Sequence, residues 1–146
     1  MKDIVLSSDL SLWGLAFSAF LSSTLLPGGS EAVLLLLATQ GELDWKSLLI
    51  VASVANTLGG IVTYMMGLWA ERGLVKTGRL KPPSSKSLVW LQKFGSPVLL
   101  FSWLPVVGDG LCLGAGWLQM HWFRVTVAMF VGKTVRYASI LYVALN

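Results

Sequence analysis

Long apolar stretches separated by small groups of charged residues run through the whole chain. Residues 12–40 contain a single charge, Glu31, and residues 47–70 contain none. Residues 88–120 and 123–146 are also apolar, with a few isolated charges. About 20 consecutive apolar residues are enough for a helix to cross a bilayer. The pattern therefore predicts an all-α integral membrane protein.

Two of these stretches are too long to form one straight helix across the membrane. A helix over residues 12–40 would be about 44 Å long, whereas the hydrocarbon core is about 30 Å thick. Proline removes a backbone donor, and glycine permits non-helical dihedral angles. Such residues interrupt both stretches: Pro27, Gly28 and Gly29 in the first, and Gly95, Pro97, Pro105, Gly108 and Gly110 in the second. We expect two re-entrant hairpins and two full transmembrane helices, with Ser30 capping the helix after the first break.

The two broken stretches contain matching motifs. The segment "LPGGSE" ends at Glu31 and "LPVVGD" ends at Asp109, so each has an acid four positions after its proline. Glu31 precedes Asn56 by 25 residues, and Asp109 precedes Lys133 by 24. A hairpin followed by one span crosses the membrane an odd number of times, so the two halves would have opposite orientations. The sequence thus predicts an inverted repeat, in which secondary transporters form a binding site between paired broken segments.

A basic segment separates the two predicted halves. Six of the eleven Lys and Arg residues lie between residues 71 and 93. Basic loops of membrane proteins remain in the cytoplasm, so we expect the loop over residues 71–87 to be cytoplasmic. The chain is then a single membrane domain over residues 1–146, with one half at 10–70 and the other at 88–146.

Composition narrows the possible functions. The chain has 146 residues, of which 55% are hydrophobic and 12% charged, and its mean hydropathy is +0.72. Its net charge of +4 comes without a basic and aromatic nucleic-acid module, so we expect no nucleic-acid partner. His121 has no second ligand at metal-binding spacing, and Cys112 is the single cysteine. With no nucleophile and base pair in view, we expect no enzyme activity, metal or cofactor.

Isolated charges inside the apolar stretches are the candidate functional residues. An ionisable group at membrane depth costs roughly 2.5–3.5 kcal/mol, so its presence favours a functional role. Lys133 and Arg136 are three residues apart and share one helix face. We predict a substrate or proton site formed by Glu31, Asp109, Lys133, Arg136 and Asn56. At least one acid should contact Arg136; Asp109 is preferred because it belongs to the same half, and Glu31 is second.

Weaker candidates and structural alternatives accompany this site. Three aromatic residues could line it: Trp103, Trp117 and Tyr64. The two acids could instead interact with helix dipoles at the membrane surface, and Lys133 could extend its ammonium to the interface. The small residues between positions 56 and 67 are expected to serve helix packing rather than substrate contact.

The sequence resembles the DedA family, the bacterial branch of the VTT-domain or SNARE-associated Golgi protein superfamily, and in particular its short YqaA-like members. Four segments carry the resemblance, which covers nearly the whole chain: "LLPGGSEAVLL", "ANTLGGIVTYMMG", "SWLPVVGDGLCLGAGW" and "GKTVRY". It implies a bacterial inner-membrane protein with two opposed re-entrant hairpins. Members are associated with lipid scrambling or movement of undecaprenyl phosphate, and with the proton gradient. Glu31 matches the acid of the family's first re-entrant segment.

The chain departs from the broader family pattern at several positions. Gly60 stands where the family has Asp, and Leu68 stands where it has Arg. The arginines usual in the family's second hairpin would fall near Trp103 and Gly108, and here Asp109 and Arg136 appear instead. These departures leave the transferred substrate open.

The leading hypothesis is a small polytopic transporter or lipid flippase or scramblase, capable of proton coupling, that acts on an anionic lipid or a small ion. The alternative is a non-transporting scaffold or membrane-homeostasis protein whose buried charges only fix helix packing. Membrane lipids are the expected partners. Two spans and two hairpins are few for enclosing a lipid path, so a homodimer is a natural arrangement.

The hairpin topology predicts where labels will react. Single cysteines at positions 11 and 42, in a Cys112→Ser background, should react with an impermeant thiol reagent added outside. Cysteines at positions 86 and 121 should react only when the reagent reaches the cytoplasmic face. A simple four-span topology would place the two members of each pair on opposite sides, and that labelling result would contradict the hairpins.

Overall fold

The computed structural model describes residues 2–24, 29–41, 43–75, 77–78, 86–104 and 107–146. The described regular structure is helical throughout, which confirms the all-α prediction. Six α-helices follow one another in the described parts of the chain: α1 (Lys2–Thr24), α2 (Gly29–Gln40), α3 (Trp45–Ala70), α4 (Lys86–Phe94), α5 (Val107–Trp117) and α6 (Trp122–Leu145). A 3₁₀ helix, Ser96–Trp103, lies between α4 and α5, and a π-helical turn, Glu71–Val75, follows α3.

Hydropathy located the two long helices correctly. The expected spans at 47–70 and 123–146 are helices α3 and α6, whose ends lie within two residues of the predicted ones. Among the described residues, Trp45–Leu74 and Trp122–Leu145 are the helical segments long and apolar enough to cross a membrane.

The first broken stretch folds as two helices. Helix α1 ends at Thr24 and α2 begins at Gly29, while Pro27 and Gly28 lie outside the described residues. With 12 residues, α2 is about 18 Å long, too short to cross a hydrocarbon core. Ser30 is inside α2, so its predicted capping role is wrong; its hydroxyl bonds to other helices instead.

The second broken stretch divides differently from the prediction. Gly95 precedes the 3₁₀ helix with φ of 74°, a conformation that favours glycine, and Pro97 lies in the first turn of that helix. Pro105 lies outside the described residues, and Gly108 is the second residue of α5. Gly110 is inside α5, so its expected role as a helix breaker is wrong. A single glycine in a helix that is otherwise stabilised by packing does not interrupt it.

The expected loop over residues 71–87 is shorter at both ends. The π-helical turn extends α3 to Val75, and α4 already begins at Lys86. Glu71 is held in this turn by a hydrogen bond that the side-chain amide of Gln119 donates to its carboxylate. Tertiary contact therefore preserves helical structure in a segment whose composition indicates a loop.

The chain forms two compact units, each with its own apolar core. The first unit contains residues 1–59 and 133–146, and the second contains residues 60–132. These units do not coincide with the sequential halves at 10–70 and 88–146, because α3 and α6 each contribute one end to each unit. The first core contains Leu15, Leu34, Leu37, Ala38, Leu48, Ala52, Tyr137 and Leu141. The second contains Tyr64, Leu91, Val98, Leu99, Leu111, Cys112, Ala115, Val125 and Met129.

Glycines on α3 and α5 allow helices to approach to backbone contact. In the second unit, a Cβ at Gly67 would overlap the Leu113 carbonyl, and one at Gly116 would overlap the Tyr64 carbonyl. In the first unit, a Cβ at Gly59 would lie 2.7 Å from a carbonyl oxygen of α1. The small residues of α3 thus serve close helix packing, as expected.

An alanine at Gly116 should destabilise the protein, because its Cβ would push α5 away from α3. Overpacking of this kind costs about 1–3 kcal/mol. Thermal unfolding in detergent is the measurement, with Gly14→Ala as the control. Gly14 is also helical, but a Cβ there meets no described atom within 4 Å, so this control should unfold at or slightly above the wild-type temperature. Equal unfolding temperatures for the two variants would contradict the close packing of α3 against α5.

Candidate functional site

A cluster of polar and charged side chains lies inside the first unit, where α1 ends and α2 begins. Four of the predicted site residues belong to this unit: Glu31, Asn56, Lys133 and Arg136. They come from α2, α3 and α6 and form two adjoining groups, one around the ion pair of Glu31 and one around the ammonium of Lys133.

The first group is built on a salt bridge between Glu31 and Arg136. Arg136 Nη2 contacts Glu31 Oε1, and the two side chains are 15% and 33% exposed, respectively. Glu31 also stands in the first turn of α2, where the positive end of the helix dipole favours a carboxylate. Of the two acids proposed for Arg136, the structure places Glu31 beside it, whereas Asp109 belongs to the second unit.

A chain of hydroxyl groups runs alongside the salt bridge. The Tyr137 hydroxyl and Ser30 Oγ are 2.8 Å apart, and either can donate. Ser30 Oγ donates its single proton to Ser22 Oγ of α1 at 3.3 Å, so in this arrangement the Tyr137 hydroxyl donates to Ser30. Two successive residues of α2 therefore bind two successive residues of α6, which fixes the start of α2 at two points.

The second group surrounds Lys133, which is only 2% exposed. Its Nζ donates to Ser23 Oγ at 2.6 Å and to the main-chain carbonyl of Asn56 at 2.9 Å. The side chain of Asn56 in turn donates to the Ala19 carbonyl of α1 at 2.9 Å. The ammonium thus lies inside the protein, and the alternative in which Lys133 extends to the membrane interface is wrong.

The charges of the cluster match the helix ends that they face. Ser23, which accepts from Lys133, is in the last turn of α1, the negative end of its dipole. Glu31 is at the positive end of α2. Two buried hydroxyls of the first unit, Ser53 Oγ on α3 and Thr134 Oγ1 on α6, have no hydrogen-bond partner among the described atoms. Buried hydroxyls of this kind commonly bind water or a ligand.

The other predicted site residues lie in the second unit. Asp109 is in the first turn of α5, and Trp117 is about two helical turns further along the same helix. Trp103 ends the 3₁₀ helix and is exposed. The Tyr64 hydroxyl donates to the Met120 carbonyl at 2.5 Å, so this side chain fastens the turn before α6. Among the described residues, no group of three His, Cys, Asp or Glu side chains could hold a metal ion.

Sequence reasoning missed several members of the cluster: Ser22, Ser23 and Tyr137. Tyr137 follows Lys133 by four positions, so helical periodicity places it on the same face and could have identified it. The serines had no such indication, because a short polar side chain at a helix end has many local alternatives to a tertiary bond.

Comparison with known proteins supplies the family. The chain is 41% identical over 135 residues to inner membrane protein YqaA of Escherichia coli K12, and the match covers 92% of each chain. The chain belongs to the YqaA family. A second relative, an uncharacterized protein of Haemophilus influenzae, is 35% identical over 145 residues, covering 92% of this chain and 87% of its own. No protein-family model and no solved structure matches.

The comparison tests one of the two family assignments made from the sequence. The YqaA-like assignment is confirmed. The wider assignment to the DedA family and the VTT-domain superfamily stays a prediction.

A double-mutant cycle tests the salt bridge. Glu31→Gln and Arg136→Gln should each destabilise the protein, because each leaves one charge uncompensated. The double variant should lose less unfolding free energy than the two single losses added together, because it leaves neither charge uncompensated. We expect a coupling of about 0.5–3 kcal/mol from unfolding in detergent.

The control for this cycle combines Glu31→Gln with Arg124→Gln. Arg124 is exposed and lies about three helical turns before Arg136 on α6, so its effect should be additive. Strict additivity in the Arg136 cycle would mean that the pair contributes nothing to stability.

Proposed function

We propose that this YqaA-family protein is a bacterial inner-membrane transporter or lipid flippase of the DedA or VTT type, acting on an anionic lipid or small ion. The observation that carries the proposal is the Glu31–Arg136 pair, set in a polar cluster where two helices meet. The E. coli and Shigella flexneri relatives are both named inner membrane proteins, which supports the location.

The salt bridge supplies a means of proton coupling. When Glu31 takes a proton, it no longer compensates the guanidinium of Arg136, which keeps its charge. An anionic group of the substrate then replaces the carboxylate as the partner of Arg136. Proton binding and anion binding therefore favour each other, and a proton gradient can drive the anion. The 33% exposure of the Glu31 side chain gives protons access to it.

The composition of the two cores supports an inverted repeat. Aligning Glu31 with Asp109 in the hairpins, and Asn56 with Lys133 in the spans, pairs core residues of one unit with core residues of the other. The aligned pairs are Leu34 with Cys112, Leu37 with Ala115, Leu48 with Val125, Ala52 with Met129, and Leu141 with Tyr64.

Each unit also contains one short helix and one end of each of α3 and α6; the first has α1 in addition, and the second has α4 and the 3₁₀ helix. The first has α2, the start of α3 and the end of α6, and the second has α5, the start of α6 and the end of α3. Two halves of opposite orientation that share their spans would have this composition. Helices α2 and α5 are 12 and 11 residues long, which suits re-entrant segments better than full spans. Two spans are too few to enclose a lipid path, so the second subunit of a homodimer would enclose the rest of it.

The scaffold alternative rests on the same cluster. Its bonds join α1 to α3, α2 to α6 and α6 to α1, which is what a structural role requires. The two functions differ in what neutral substitutions should do. In a transporter, the Glu31→Gln protein that reaches the membrane has lost coupling, whereas in a scaffold the lowered stability is the only effect and no transport exists to lose.

Reconstitution tests the transport proposal. Purified protein in liposomes should move a labelled anionic lipid faster with a pH gradient than without one. Glu31→Gln should abolish the effect of the gradient, and Arg136→Gln should lower the rate about tenfold or more, since a lost interaction with a charged group is worth about 1.5–3 kcal/mol. Arg124→Gln, at an exposed base, is the control and should behave as wild type. Rates equal to those of protein-free liposomes would reject transport of that lipid and favour the scaffold.

A further inference from the structure

The surroundings of Lys133 resemble the coordination of a small cation. Its ammonium lies against a hydroxyl oxygen, Ser23 Oγ at 2.6 Å, and a main-chain oxygen, that of Asn56 at 2.9 Å. Hydroxyl and carbonyl oxygens are ligands that alkali cations prefer. The oxygen of Ser23 also stands in the last turn of α1, where the helix dipole adds negative potential.

The location of Lys133 near the end of α1 also resembles that of a cation site. In transporters with interrupted helices, carbonyls and the C-terminal ends of half-helices coordinate the coupling cation. Here α1 ends at Thr24, one residue after Ser23, whose hydroxyl accepts a hydrogen bond from the ammonium of Lys133. Lys133 is 2% exposed, so its charge is enclosed with these oxygens.

We propose that Lys133 fills a monovalent-cation site, and that removing its side chain uncovers a site that binds Na⁺. A cation attached to the chain cannot diffuse away, so the oxygens that Lys133 contacts need no free alkali ion. The inference does not depend on transport, because it concerns what stabilises the end of α1.

The experiment measures unfolding temperature in detergent for K133A, in chloride salts of Na⁺ and choline at equal ionic strength. K133A should unfold at a lower temperature than wild type in choline, and Na⁺ should raise that temperature by about 3 °C or more, the shift expected for one weakly bound ion in a chain of this size. K133S, which adds a hydroxyl ligand, should show the same Na⁺-specific shift and serves if K133A is not recovered.

Two controls locate the effect. K133Q also lacks the charge, but its amide fills the space beside Ser23, so Na⁺ and choline should act on it equally. Wild type should likewise show no Na⁺-specific shift. A shift in either control, or none in both K133A and K133S, would overturn the proposal, as would failure to recover both variants in Na⁺. None of these outcomes bears on lipid movement, so transport and the cation site are tested separately.

Discussion

A guanidinium inside a membrane protein keeps its charge, because arginine does not deprotonate under conditions in which proteins fold. Arg136 therefore needs a compensating group wherever the fold places it, and that group is Glu31. The requirement fixes the register of α6 against the start of α2. The bond between Ser30 and Tyr137, one residue further along each helix, then follows from the same register. The contacts between α2 and α6 in the first unit thus follow from the need to compensate this one charge.

The sequence predicted α3 and α6 well, because a long apolar run has few stable alternatives to a helix in a membrane. It also identified Glu31, Lys133 and Arg136, since an isolated charge in such a run is conspicuous. It could not assign their partners. Asp109 was preferred for Arg136 because both follow the basic loop, but the end of α6 belongs to the first unit. Proximity along the chain is a poor guide when two halves exchange the ends of their spans.

Local patterns failed where tertiary contacts outweighed them. Gly110 was expected to break a helix, yet it lies within α5, whose Gly116 packs against α3. Ser30 has the chemistry of a helix cap, but it lies within α2, and its side chain forms a hydrogen bond with the buried hydroxyl of Tyr137 on α6. Glu71 was expected in a loop, but it lies in a π-helical turn, where its carboxylate accepts a hydrogen bond from the side-chain amide of Gln119. In each case the deciding partner is distant in sequence, so no local window contains it.

Helix α6 holds both sides of the first break, and it does so with different chemistry on each side. Arg136 binds the start of α2 through a carboxylate, whereas Lys133 binds the end of α1 through a hydroxyl. A proton can remove the first interaction, whereas the hydroxyl of Ser23 carries no negative charge that a proton would neutralise. Protonation of Glu31 would thus weaken the attachment of α2 to α6 while α1 stays attached. Helix α2 would then be attached to α6 through the bond between Ser30 and Tyr137, so the proposed proton step would loosen α2 more than α1.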